Sequence, residues 1–178
     1  MIFPMQIQNM MHIHTKYKIA YLALMIALSM IFSYVELLIP INFGIPGIKL
    51  GLANVVSVVV LYLFGFYSTI IVVFARVLLS GFMFGNMFSI IYSLSGGIIS
   101  VLIMALFKKS RMFSVLGVSM AGGVFHNLAQ LLIAIIIVEQ LKIYYYGPIL
   151  IVSGLIMGTI IGYISSMIIK RVETYVRL

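Results

Sequence analysis

The chain has 178 residues, of which 64% are hydrophobic and only 8% carry a charged side chain. Soluble domains carry about 25% charged residues, so this composition excludes an ordinary soluble domain and predicts an integral membrane protein. The net charge of +8 does not indicate nucleic-acid binding, because the eleven basic residues stand mainly at the ends of hydrophobic segments. The absence of Cys excludes a disulfide framework and a thiolate metal site.

The hydrophobic segments predict an all-α fold. A helix needs roughly 20 apolar residues to cross the hydrocarbon core of a bilayer, and five segments approach this length while the second is shorter. We therefore predict a bundle of six transmembrane helices over residues 16–170, between a short cytoplasmic tail at residues 1–15 and another at residues 171–178. The predicted spans are Tyr17 to Ile39, Leu50 to Phe64, Phe66 to Met83, Phe88 to Phe107, Val115 to Val138 and Pro148 to Ile169.

The basic residues predict the orientation of this bundle. Short cytoplasmic loops of membrane proteins are enriched in Lys and Arg, and eight of the eleven basic residues fall on one side of the predicted spans. Both termini are therefore expected in the cytoplasm, and the expected location is the plasma membrane of a bacterium. The eight residues are Lys16, Lys18, Lys108, Lys109, Arg111, Lys170, Arg171 and Arg177.

Two stripes of small residues predict close helix contacts. Gly154, Gly158 and Gly162 recur at four-residue spacing in the sixth span, which favours packing against another helix of the bundle. The first span carries a second stripe, whose members are Ala20, Ala23 and Ala27. Packing inside the bundle and docking of a second membrane subunit are both open for the alanine stripe.

Arg76 lies near the middle of the third predicted span. A guanidinium at that depth costs about 2.5 to 3.5 kcal/mol on insertion scales, so it should face the bundle interior and meet acceptors. A structural pair with Glu36, near the outer end of the first span, is one interpretation. A ligand-binding role is the other.

The stretch FHNLAQ places further polar groups in the fifth span. His126, Asn127 and Gln130 can share one broad helix face, and three such residues at the depth of an arginine favour a ligand or ion site over simple helix contacts. Lys49 and Asn54 stand around the outer end of the second span, where they are expected to form part of the entrance. Together these residues predict an outward-facing cavity for a small anionic organic molecule.

Several ordered motifs resemble a known family. They are ALSMIFSYVELLIP in the first span, GIKLGLANVVSVVVLYLFG, the third-span arginine, GFMFGNMFSIIYSLSGG and SMAGGVFHNLAQ. Over residues 16–169 the chain resembles the Gx transporter family, also labelled heptaprenyl diphosphate synthase component I. That family is similar to the substrate-binding S components of energy-coupling factor transporters.

The resemblance implies partners for the chain. In S components an alanine motif on the first helix contacts a transmembrane coupling subunit that two cytoplasmic ATPases drive, and Ala23 and Ala27 match this motif, with Ala20 on the same side. The chain has no P-loop sequence, so ATP is expected to be used by the partner subunits, and no cofactor or metal is expected on the chain itself. Membrane lipid and a small-molecule substrate complete the expected partners.

The enzyme label of the family gives the competing hypothesis. Prenyl diphosphate chemistry uses Mg²⁺ held by carboxylate oxygens, yet the chain contains no Asp, and Glu36, Glu139 and Glu173 stand far apart. No catalytic residue is therefore expected, and the alternative is a non-catalytic membrane subunit of a heptaprenyl diphosphate synthase. The favoured hypothesis is a substrate-capture subunit of an ATP-driven importer.

Overall fold

The computed structural model describes residues 15–38 and 51–176. These residues form six α-helices and one 3-10 helix. The elements are α1 (Thr15–Leu38), α2 (Leu52–Leu63), α3 (Phe66–Phe84), α4 (Met87–Ser110), α5 (Val115–Val138), the 3-10 helix (Leu141–Tyr146) and α6 (Gly147–Val176). Five helices are long and apolar enough to cross a membrane, and α2 is a shorter apolar helix.

The predicted all-α fold is confirmed for the described residues. The bounds of α5 agree with the prediction, whereas α4 begins one residue earlier than predicted and ends at Ser110. Helix α6 continues to Val176, so residues 171–176, predicted as a tail, are helical. The turn-rich segment before α2, which contains Lys49, lies outside the described residues.

Local side-chain and backbone features explain where helices begin and end. Asn86 accepts a hydrogen bond from the backbone N–H of Ser89 at 2.8 Å and so caps the start of α4. Ser114 does the same for α5 through Gly117 at 3.3 Å. Between α2 and α3, Gly65 has a φ of 83°, a left-handed conformation that glycine adopts without steric cost and that separates the two helices.

The helices form a closed ring in which α1, α3, α4, α5, α6 and α2 are successive neighbours. Helix α2 closes the ring by packing against α1, and it also packs against α3. Helix α2 is the most enclosed of them, since Ala53 and every residue from Val55 to Leu61 are buried. A helix that is apolar all round is typical of a bundle interior. Residues of α2 accordingly take part in both hydrophobic core clusters.

The glycine stripe of α6 lies against α5. A Cβ atom on Gly154 would stand 2.8 Å from the carbonyl oxygen of Gly123, and one on Gly158 would stand 2.7 Å from Cα of Met120. At Gly162 the nearest atom would be Cα of Leu116, at 2.9 Å. Because these neighbours are backbone atoms, a side chain cannot be accommodated without separating the helices. The predicted packing role of this stripe is confirmed.

The alanine stripe of α1 has a different environment. Ala20, Ala23 and Ala27 are all exposed on the outer surface of the bundle. The stripe therefore does not pack inside the described part of the bundle, and its docking role stays a prediction.

Candidate functional site

A polar cavity of about 270 Å³ lies at one end of the bundle. It is found where α1 and α3 end and where α2 and α4 begin, and the middle of α5 forms another part of its wall. Leu37, Val77 and Phe84 supply apolar surface. The polar lining residues are Ser33, Glu36, Asn54, Arg76, Ser80, Ser89, Ser93, His126 and Gln130.

Arg76 is the central charged group of this cavity. Its Nη1 donates a hydrogen bond to Oγ of Ser33 at 3.4 Å. Its Nε is buried and has no hydrogen-bond partner within residues 15–38 and 51–176. A guanidinium has five N–H donors and no acceptor, so the group requires oxygen atoms to offset its burial.

Glu36 supplies a carboxylate to the same cavity. Its Oε1 accepts a hydrogen bond from the backbone N–H of Gly51 at 2.6 Å, which ties the end of α1 to the start of α2. Gly51 has a φ of 72°, a conformation that favours glycine. Glu36 and Arg76 are both lining residues of the cavity, as the predicted pair requires, but the hydrogen bond from Arg76 goes to Ser33.

His126 and Gln130 from α5 line the cavity one helical turn apart, and Gln130 is only 4% exposed. Gly96 of α4 packs directly against both. A Cβ atom on Gly96 would lie 2.9 Å from Cγ of Gln130 and 2.9 Å from Cε1 of His126. The absence of a side chain at Gly96 thus allows α4 to approach α5 at the level of the cavity.

Asn127 is not among the residues that line the main cavity. Its Nδ2 donates hydrogen bonds to the carbonyl oxygen of Leu150 at 2.8 Å and to Oγ of Ser153 at 3.0 Å, both on α6. It lines a second cavity of about 30 Å³ between α2, α5 and α6. The structure therefore places Asn127 at a contact with α6 and beside the main cavity, because Asn54, His126 and Gln130 line both cavities.

The structure brings four predicted site residues to one cavity: Arg76, His126, Gln130 and Asn54. Lys49, the predicted entrance residue, lies outside the described residues. Ser33 and Ser80 were not predicted. The signal for Ser80 is its position four residues after Arg76, which places both residues on one face of α3.

The five long apolar helices fit a multi-pass membrane protein, and the cavity gives this helical bundle a polar site. A family model described as heptaprenyl diphosphate synthase component I matches residues 25–168, and the chain belongs to this family. This match confirms the family resemblance of the sequence motifs. No curated protein in the comparison matches the chain. No solved structure matches it either.

Proposed function

We propose that the chain is the membrane-embedded substrate-binding subunit of an ATP-driven importer of the energy-coupling factor type. It captures a small organic molecule with an anionic group from the outer side of the membrane. The observation that carries this proposal is the Arg76 guanidinium in the lining of this cavity, whose buried Nε has no hydrogen-bond partner in the described residues.

The chemistry of the cavity supports a ligand. Ser33 offers Arg76 one long hydrogen bond, which leaves most of the guanidinium donors for other acceptors. An anionic group in the cavity would supply these acceptors through charge-assisted hydrogen bonds. The volume of about 270 Å³ lies just below the usual range of about 300–1,000 Å³ for ligand pockets, which indicates a small molecule.

The position of the cavity supports capture from outside. Helix α4 runs from the cavity end to Lys108 and Lys109, and Arg111 follows it before α5 returns towards the cavity. Lys170 and Arg171 lie at the same end of the bundle as these residues. With six membrane-embedded helices and both termini in the cytoplasm, the basic end is cytoplasmic and the cavity opens outward.

The surface of α1 supports the proposed assembly. Ala20, Ala23 and Ala27 form an exposed stripe on which the helix of a transmembrane coupling subunit can approach closely. In this proposal, cytoplasmic ATPases drive the coupling subunit, and the bundle reorients in the membrane to release its ligand inside. ATP is used by these partners.

The family description favours a second candidate function. It names a component of a heptaprenyl diphosphate synthase. In this alternative the chain is a non-catalytic membrane subunit that anchors a soluble synthase chain.

Mild purification from the native membrane, followed by mass spectrometry of the retained subunits, distinguishes these functions. We expect a membrane coupling protein with ATPases, which Ala23→Trp removes because the bulky ring separates the helices at the stripe. Leu132→Trp is the control, since Leu132 is 61% exposed on α5, away from the stripe. Recovery of a soluble prenyl diphosphate synthase instead would contradict the importer and favour the alternative.

A further inference from the structure

Arg76 and Ser80 form a pair of polar groups on one wall of the cavity. They are four residues apart on α3, so they lie one above the other on the same helix face. Nε of Arg76 and Oγ of Ser80 are both buried and have no hydrogen-bond partner in residues 15–38 and 51–176. Leaving a buried donor without an acceptor is costly. Two such donors on one wall therefore indicate a ligand with oxygen acceptors.

Glu36 restricts the charge of that ligand. Its carboxylate belongs to the lining of the same cavity and is held by the backbone N–H of Gly51. A second negative charge on the ligand would be repelled by Glu36 in a site of low dielectric constant, where charges interact more strongly than in water. A hydrogen-bond donor on the ligand would instead be attracted to it.

We propose that the cavity binds a small molecule that carries one carboxylate together with an amino or hydroxyl group. Neighbouring atoms cover Arg76 Nε and Ser80 Oγ, so the two side chains turn towards the ligand on binding. Arg76 Nε–H and Ser80 Oγ–H then donate hydrogen bonds to the carboxylate, and Glu36 accepts a hydrogen bond from the amino or hydroxyl group. This inference rests on the proposed capture function and names its substrate class. It assigns Ser80 as a ligand-binding residue and Glu36 as the residue that discriminates against phosphates and diphosphates.

Thermal-shift measurements on the full chain in lipid nanodiscs test the proposal. Four sets of compounds are compared at equal concentration: carboxylates with an amino or hydroxyl group, carboxylates without one, phosphate monoesters and diphosphates including prenyl diphosphates, and amines without a carboxylate. A compound that binds the native state raises Tm, and we expect the largest rise within the first set. The best compound of that set is then titrated to obtain its Kd.

Three variants then connect the ligand to the cavity. Ser80→Ala is expected to weaken the affinity about tenfold or more, because it removes a hydrogen bond to a charged group. Ser57→Ala is the matched control, since its Oγ is also buried without a partner in the described residues but lies outside the cavity lining. Ser57→Ala should bind the compound with the same Kd as the wild type. Glu36→Gln should reduce the preference for carboxylates that carry an amino or hydroxyl group over carboxylates that lack one.

Three results would overturn this inference. Preferential stabilisation by phosphates or diphosphates, or an unchanged Kd in Ser80→Ala, would reject the substrate class and leave the capture function standing. Stabilisation by none of the four sets would reject the ligand assignment itself. The importer proposal is decided separately, by the subunits that co-purify with the chain.

Discussion

Asn127 and its neighbour His126 make different contacts although they are adjacent in the chain. We predict that Asn127→Ala lowers the free energy of unfolding by about 0.6 to 1.7 kcal/mol, which are the mean and the maximum measured for hydrogen bonds between membrane helices. The physical reason is the loss of the bonds to Leu150 and Ser153 of α6. Denaturation in detergent micelles, followed by circular dichroism, measures the change.

Thr159→Ala is a suitable control for this variant, because the Thr159 hydroxyl bonds to Leu155 of its own helix at 2.7 Å. It should leave the contact between α5 and α6 intact. If Asn127→Ala kept full stability but lost binding of the stabilising compound, Asn127 would belong to the ligand site, as the sequence predicted.

At the residue scale, the sequence could identify which polar side chains lie in the bundle interior. It could not show which of them line the cavity and which bond to a neighbouring helix. Burial of Arg76 follows from the cost of placing a guanidinium in hydrocarbon. The division between His126 and Asn127 depends on a rotation of about 100° per residue around α5, and this rotation directs them to different neighbours. Ser80 could not be recognised as a cavity residue from its residue type, since serine hydroxyls also form hydrogen bonds between membrane helices.

At the scale of elements, the end of α2 depends on a lysine from α4. Nζ of Lys108 donates a hydrogen bond to the carbonyl oxygen of Leu61 at 2.7 Å and lies 4.8 Å from the centre of the Tyr62 ring. A cation at a helix C-terminus satisfies a free carbonyl group and complements the helix dipole. This contact holds the short helix at its last turn.

We predict that Lys108→Met lowers the free energy of unfolding by about 1.5 to 3 kcal/mol, the usual contribution of a hydrogen bond to a charged group. Lys109→Met is the matched control, because Lys109 is the next residue of α4 and is exposed. Its change should be small. Chemical denaturation of both variants in the same detergent provides the comparison, and equal destabilisation would show that the contact with α2 contributes nothing.

The helices themselves could be predicted well because hydropathy and helix formation largely coincide in this chain. The apolar segment and the helix end at different residues in α6. Lys170, Arg171 and Glu173 end the apolar segment there, whereas the helix continues to Val176. Hydropathy reports where the lipid ends, whereas the backbone hydrogen bonds of a helix can continue into water. This difference explains the helical residues in the predicted C-terminal tail.

For the whole molecule, the orientation in the membrane gives a direct prediction. The natural chain contains no Cys, so single cysteines can be introduced one at a time without a background reaction. In intact cells, a membrane-impermeant maleimide should label Lys142→Cys, at the cavity end, and should leave Lys109→Cys unlabelled until the membrane is opened. Both native residues are exposed, so access depends on the side of the membrane.

The unmodified chain serves as the blank in this labelling experiment, and a second labelling after permeabilisation shows that each introduced cysteine can react. Labelling of Lys109→Cys in intact cells, with protection of Lys142→Cys, would reverse the proposed orientation and turn the cavity towards the cytoplasm.

The short length of α2 has a consequence for biogenesis. Its 12 residues extend about 18 Å, well short of a hydrocarbon core of about 30 Å, so the helix is poorly stabilised in lipid by itself. Much of its surface is covered by α6, where Ser165 bonds to the carbonyl oxygen of Val55 at 3.4 Å and Ile161 joins the same hydrophobic cluster. Because α6 leaves the ribosome after the other five helices, α2 gains this part of its cover only once α6 has been synthesised.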